Sequence, residues 1–158
     1  MVSEAITIPL IAAGGIGTGK GMLAAMNLGA DAVQIGSRFV TSTESSAHEN
    51  FKEQIISSNE GDTLLTLKEL TPVRLMKNPF FDKVQKAYHN CASAEELTAL
   101  LGKGRAKKGM FEGDLIEGEL EIGQVAGLIN EIKSAKEIID EIVSEFNQTL
   151  TKQKEFIL

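Results

Sequence analysis

The chain has 158 residues, 42% of them hydrophobic and 24% charged, with a net charge of −6; that is enough length for one ordinary domain with its own core. The acidic balance argues against a nucleic-acid partner, and seven Phe with one Tyr and no Trp make a poor platform for stacking bases. A lone cysteine, Cys91, excludes an internal disulfide; with no leader-like N-terminus and no apolar run near the ~18 residues of a membrane span, a reducing cytoplasm is expected.

Ile6 to Ala13 is short, apolar and ended by Gly14–Gly15, as a buried strand would be. Thr18 to Leu28 predicts a helix, with Thr18 as N-cap, apolar Met22, Leu23, Met26 and Leu28, and Gly29 as its stop. Asp31 to Ile35, "DAVQI", predicts a second strand, ended by Gly36–Ser37. Strand, glycine turn, helix, strand and glycine turn form a βαβ unit, whose two strands should be parallel and adjacent.

Ser46 to Ile56 predicts a helix and Asp62 to Glu69 a strand, while Pro72 and Pro79 make 71–81 irregular. Asp82 to Asn90 and Ser93 to Leu101 predict two short helices, the second opened by the capping box of Ser93 and Glu96. Five glycines and a basic cluster predict an exposed loop over 102–118. Gln124 to Ile132 predicts a short helix. Ser134 to about Leu150 predicts a longer one, with Ile138, Ile139, Ile142, Val143, Phe146 and Leu150 on one face.

The stretch "PLIAAGGIGTGKG", residues 9–21, suggests a backbone cradle for phosphate. As a P-loop, Gly14 to Lys20 fits G-x-x-x-x-G-K, but Gly21 stands where the Mg²⁺-binding hydroxyl belongs, and no later apolar strand ends in an acidic residue that could take a Walker B role. As a dinucleotide fingerprint it fails at Lys20 or at Met22, and the second strand lacks a terminal acidic residue for a ribose. The third reading uses both glycine turns. Parallel pairing puts them at the same end of strands ~4.8 Å apart, as in a (β/α)8 barrel that holds phosphate between the loops after strands 7 and 8. Glycine lets the backbone approach the phosphate, and Ser37 adds a hydroxyl donor. Plain tight βα turns are the structural alternative.

Residues 8–45, "IPLIAAGGIGTGKGMLAAMNLGADAVQIGSRFVTSTES", resemble the strand 7 to strand 8 segment of the nitronate monooxygenase family, formerly 2-nitropropane dioxygenase, whose superfamily includes the FMN-dependent enoyl-acyl-carrier-protein reductases of type II. "AHENFKE" at 47–53, "PVRLMKN" at 72–78 and "GELEIGQVAGLINEI" at 118–132 resemble the family in the expected order. The resemblance implies an α/β fold, the C-terminal portion of a TIM (β/α)8-type barrel with added helices. It implies that residues 1–60 carry the last βα units of an FMN-binding barrel, 61–118 a cap or insert, and 119–158 helices packed on the barrel. It implies FMN as cofactor, with Gly14, Gly15, Gln34, Ile35, Gly36 and Ser37 around its phosphate, Gly123–Gln124 near the site, and NAD(P)H as electron donor in the reductase branch.

The substrate implied is a small molecule, either an alkyl nitronate oxidised with O₂ or an enoyl thioester; "PVRLMKN" leans toward the latter. The family is about twice this length. Its histidine-bearing "EAGGH" motif is expected upstream of Met1, so no catalytic residue is assigned within the chain, and a homo-oligomer or a missing N-terminal half is expected. A non-catalytic half-barrel is the alternative of another class.

Outside that segment, His48 reads as a solvated helix residue, and His89 with Cys91 as too few ligands for a metal, so no metal site is expected. Arg74 and Lys77 are candidates for contacting an anionic substrate or cofactor. "KGRAKK" at 103–108 reads as a solvated loop, or as a docking patch for an acidic carrier protein. Glu117, Glu119 and Glu121 read as a solvent-facing edge.

Overall fold

The computed structural model of the chain describes residues 2–155. In chain order these form α1 (Val2–Ala5), β1 (Ile11–Ala13), α2 (Gly19–Asn27), β2 (Ala32–Gln34), α3 (Ser37–Val40), α4 (Glu49–Ile56), β3 (Thr63–Thr66), β4 (Val73–Met76), α5 (Pro79–His89), α6 (Ala94–Leu101), α7 (Arg105–Met110), a 3₁₀ turn (Gln124–Leu128) and α8 (Ala135–Gln153). They fall into two units. One joins the chain up to Glu44 to the chain from Lys133 onward; the other is Ser45–Ile132.

In the first unit β1 and β2 pair in parallel, Ile11 opposite Ala32 and Ala13 opposite Gln34, with α2 as the connection. Thr18 is the N-cap of α2, its hydroxyl accepting from Gly21 N–H at 3.1 Å. The partner of α2 is α8, from the other end of the sequence. Their approach is close because Gly19 lacks a side chain: a Cβ there would lie 2.3 Å from both Ile142 O and Phe146 N of α8. Leu23 of α2 and Ile138 and Ile142 of α8 are buried, whereas Ile139 and Val143 stay about half exposed, so the apolar face of α8 is wider than what it buries. The first strand is shorter than expected: 6–10 lies outside it, with a bend at Thr7–Ile8, and α1 precedes it. The second glycine turn leads into the one-turn helix α3.

The second unit is built on an antiparallel pair, β3 against β4, from Thr63 opposite Met76 to Thr66 opposite Val73. The other edge of β4 is met by 120–122, where Met76 N–H donates to Leu120 O at 2.9 Å and Ile122 N–H to Arg74 O at 3.2 Å. Leu67, Leu75, Phe80, Phe81, Val84 and Leu97 form the core between these strands, α5 and α6.

The expected irregularity of 71–81 is therefore corrected. Pro72 lies just outside β4, and Pro79 is the first residue of α5, where its missing N–H would have had no helical partner. Asn78 caps α5 by accepting from Phe81 N–H at 2.8 Å, and its amide donates to Leu115 O and Gly118 O at 3.0 and 2.9 Å. The capping box of Ser93 and Glu96 is present at α6. Gln124–Leu128 is a 3₁₀ turn, shorter than the helix expected to Ile132.

The exposed loop expected over 102–118 contains α7 instead. Arg105 anchors it, donating to Leu101 O at 2.8 Å, Leu100 O at 3.1 Å and Glu117 O at 2.7 Å, with its guanidinium 4.4 Å above the Phe80 ring. Lys107 pairs with Glu112 and Lys108 with Asp114, each at 3.0 Å, so the cluster is neutralised largely within itself. The Glu117 N–H, the Lys108 ammonium and the Ile116 N–H hold the Asp114 carboxyl down at about 2.

Candidate functional site

The six residues expected around a phosphate lie together at one end of the β1–β2 pair. Because Ala13 is opposite Gln34, the next residues along each strand, Gly14–Gly15 and Ile35–Gly36, leave the sheet side by side at its carboxyl end. Gly14 and Gly15 take φ of +94° and +71°, which only glycine adopts without strain. Gly36 is different: its φ of −106° suits any residue. A Cβ at any of these three glycines would meet nothing within 4 Å. The backbone demands glycine at 14 and 15, while at 36 neither backbone nor packing does. The space beside Gly36 is open, and a Cβ there would take up part of it. Ser37, half-buried, is the first residue of α3, and Gln34 is exposed at the end of β2.

The remaining glycines of the stretch serve other ends. Gly19 admits the α8 backbone, as described above. Glu145 of α8, missed in the sequence because it lies 126 residues away, accepts from Gly19 N–H at 2.7 Å and from Lys20 N–H at 3.4 Å, and its other oxygen lies 3.4 Å from Lys20 Nζ. The first turn of α2 therefore already carries an anion, which removes the last geometric support for a P-loop. Lys20 is an ion-paired residue of a helix N-terminus.

In the second unit, the other candidates take structural places. His48 is the N-cap of α4: its Nδ1 accepts from Asn50 N–H at 3.1 Å, and Gly113 packs so closely that a Cβ there would fall 2.3 Å from Nδ1. This corrects its reading as a solvated helix residue. Arg74 donates to Thr63 O and Thr63 Oγ1 at 3.0 and 3.2 Å across the β3–β4 pair, and Lys77 is exposed. His89 ends α5 and Cys91 lies exposed beyond it. Gly123 caps the 3₁₀ turn that Gln124 begins.

Glu119 overturns the solvent-facing edge: it is 6% exposed, and its N–H donates to Arg105 O at 3.0 Å. Burial, and then the neighbouring charge of Glu121, push its carboxyl up to about 7 against the opposing pull of Arg105. Among the described residues no group of three or more His, Cys, Asp and Glu could hold a metal ion, and no helix is long and apolar enough to cross a membrane.

The family model described as nitronate monooxygenase matches residues 1–145. A probable nitronate monooxygenase of Staphylococcus saprophyticus is 34% identical over 154 residues, covering 94% of this chain and 42% of that protein. The structure of FabK from Thermotoga maritima superposes with a TM-score of 0.91 at 43% identity, over 99% of this chain and 50% of that one. Nitroalkane oxidase from Streptomyces ansochromogenes gives a TM-score of 0.73 at 29% identity, over 96% of this chain and 43% of that one. The chain thus spans half or less of the length of these relatives. It belongs to the nitronate monooxygenase family, a family of oxidoreductases, and its α/β fold corresponds to part of a TIM-type barrel.

Proposed function

From membership of that family we propose that this chain supplies the phosphate-holding turns of an FMN-dependent oxidoreductase, and that the reaction is oxidation of alkyl nitronates with O₂. One observation carries the reading: two glycine turns stand side by side at the carboxyl ends of adjacent parallel strands, with room beside each. Barrel and open α/β folds hold their ligands at that end of the strands. The N–H groups of Gly14, Gly15, Gly36 and Ser37 and the Ser37 hydroxyl would hold the phosphate, with Gln34 and Ile35 completing the set. FMN, when bound, supplies the redox chemistry. The part of this chain is to bind and orient its phosphate, and we assign it no catalytic base. The division into barrel units at 1–60, an insert at 61–118 and closing helices at 119–158 goes with this reading.

One face of the β1–β2 pair is uncovered, with Ile11 59% exposed and Ala13, Ala32 and Gln34 exposed beside it, and the other, at Ala12 and Val33, is only half-buried. Parallel strands are normally buried on both faces. This supports a site completed by further βα units, in the same polypeptide or another, and self-association in their absence. The chain alone should retain FMN weakly; joined to the preceding barrel strands of a relative such as the S. saprophyticus protein, it should hold flavin and turn over a nitronate.

Failure to hold flavin in that complex would overturn the reading. The second reading, NAD(P)H-dependent reduction of an enoyl thioester, is favoured by the "PVRLMKN" resemblance at 72–78. Turnover of crotonyl thioester with NAD(P)H, and none with nitronate, would put it in place of the first.

A further inference from the structure

The loop from Gly14 to Gly21 presents two groups of backbone donors, and only one is open. At its start, Gly14 and Gly15 border free space. At its end, the first turn of α2 offers Gly19 N–H and Lys20 N–H together with the Lys20 ammonium, the donor set with which helix N-termini hold phosphate. An anion is already seated there: the Glu145 carboxylate, bound to all three groups. Its seat is fixed by the contact at Gly19, where the α2 and α8 backbones approach too closely to admit a Cβ. A phosphate reaching Gly19 and Lys20 would have to displace those charge-assisted hydrogen bonds or lie against a like charge.

We propose that Glu145 is a specificity-determining residue, a built-in anion that closes the N-terminus of α2 and confines ligand phosphate to the turns after β1 and β2. The choice of ligand, FMN, rests on the reading above; the closure does not. The residue is remote from the reacting atoms and acts by occupying the competing anion position. It also accounts for a loop that satisfies a nucleotidase pattern up to its lysine without offering a nucleotidase site.

The test is a titration of the ¹⁵N-labelled chain with inorganic phosphate, followed through its backbone amides. In the wild type the Gly19 and Lys20 amides should not move. In Glu145→Gln, which keeps the size of the side chain, and in Glu145→Ala, the same two amides should show saturable shifts in the millimolar range, while amides elsewhere report an intact fold. A merely structural cap would not create phosphate binding when its charge is removed. Saturable shifts of Gly19 and Lys20 in the wild type would overturn the proposal, whether or not the variants fold, as would folded variants silent at both amides. A parallel titration with FMN, made on the chain joined to the preceding barrel strands, reads the amides of Gly14, Gly15, Gly36 and Ser37. Silence there defeats the FMN reading and leaves the closure of α2 standing.

Discussion

An alanine at Gly36 would sit at an ordinary φ of −106° and touch nothing within 4 Å. Gly36→Ala should therefore leave stability within about 0.5 kcal/mol of wild type. In the flavin-holding complex it should weaken FMN at least about tenfold, ~1.4 kcal/mol; equilibrium unfolding and flavin titration measure the two effects separately. Gly113→Ala should do the reverse. With φ at +77° and His48 Nδ1 2.3 Å from the new Cβ, it should cost about 1–3 kcal/mol of stability, read by urea unfolding. Glu119 supplies a pH dependence. Its folded value of about 7 stands above the ordinary 4.5, so the folded state binds the extra proton. Stability should be greatest below pH 4.5 as far as this group is concerned, and fall as pH rises toward and through 7, by up to ~3 kcal/mol. Glu119→Gln should abolish that slope in unfolding curves taken across the window. The burial was not legible because alternation places Glu117, Glu119 and Glu121 on one side of an extended segment without saying what covers that side. Here α7 does, packing Gly109 against the 118–119 backbone.

Helices and strands were legible where local chemistry marks their ends. Thr18, Ser93 and Ser134 are all N-caps where a helix was expected to begin, and the Ser134–Glu137 box opens α8. Ser134→Ala should cost about 1 kcal/mol in thermal or chemical unfolding. Where glycine and proline dominate, the local signal misleads. Prolines on either side of β4 hid a four-residue strand, and Gly104 and Gly109 hid α7, whose support comes from the Arg105 carbonyl contacts and not from propensity. The same ambiguity holds in the stretch 9–21: its glycines look alike in sequence, yet Gly14 and Gly15 serve a turn while Gly19 serves a helix crossing. Gly19→Ala should force α2 and α8 apart at a cost on the order of 3 kcal/mol or more, with α8 losing amide protection first. Gly21→Ala, whose nearest neighbour would be Thr18 Oγ1 at 3.4 Å, serves as the mild control.

At the scale of the molecule, the parallel pair and the βα unit were legible, since βαβ handedness and adjacency leave few alternatives. The packing of the far end of the chain on that unit was expected from the resemblance and not from the residues, because nothing in the pattern of α8 names its partner. With Ile8, Ile11 and Leu28 exposed by 71%, 59% and 81%, the chain in solution should self-associate. Sedimentation velocity should show mass rising with concentration, and addition of a complementary set of barrel strands should suppress it. The joining of residues up to Glu44 with those from Lys133 onward also imposes a chronology on synthesis. Ser45–Ile132 is contiguous and can fold as it is made, whereas β1, α2 and β2 emerge before it and wait for a helix translated after it. Their docking closes a loop of more than a hundred residues, the kind of long-range contact that slows folding and leaves early strands exposed to other chains.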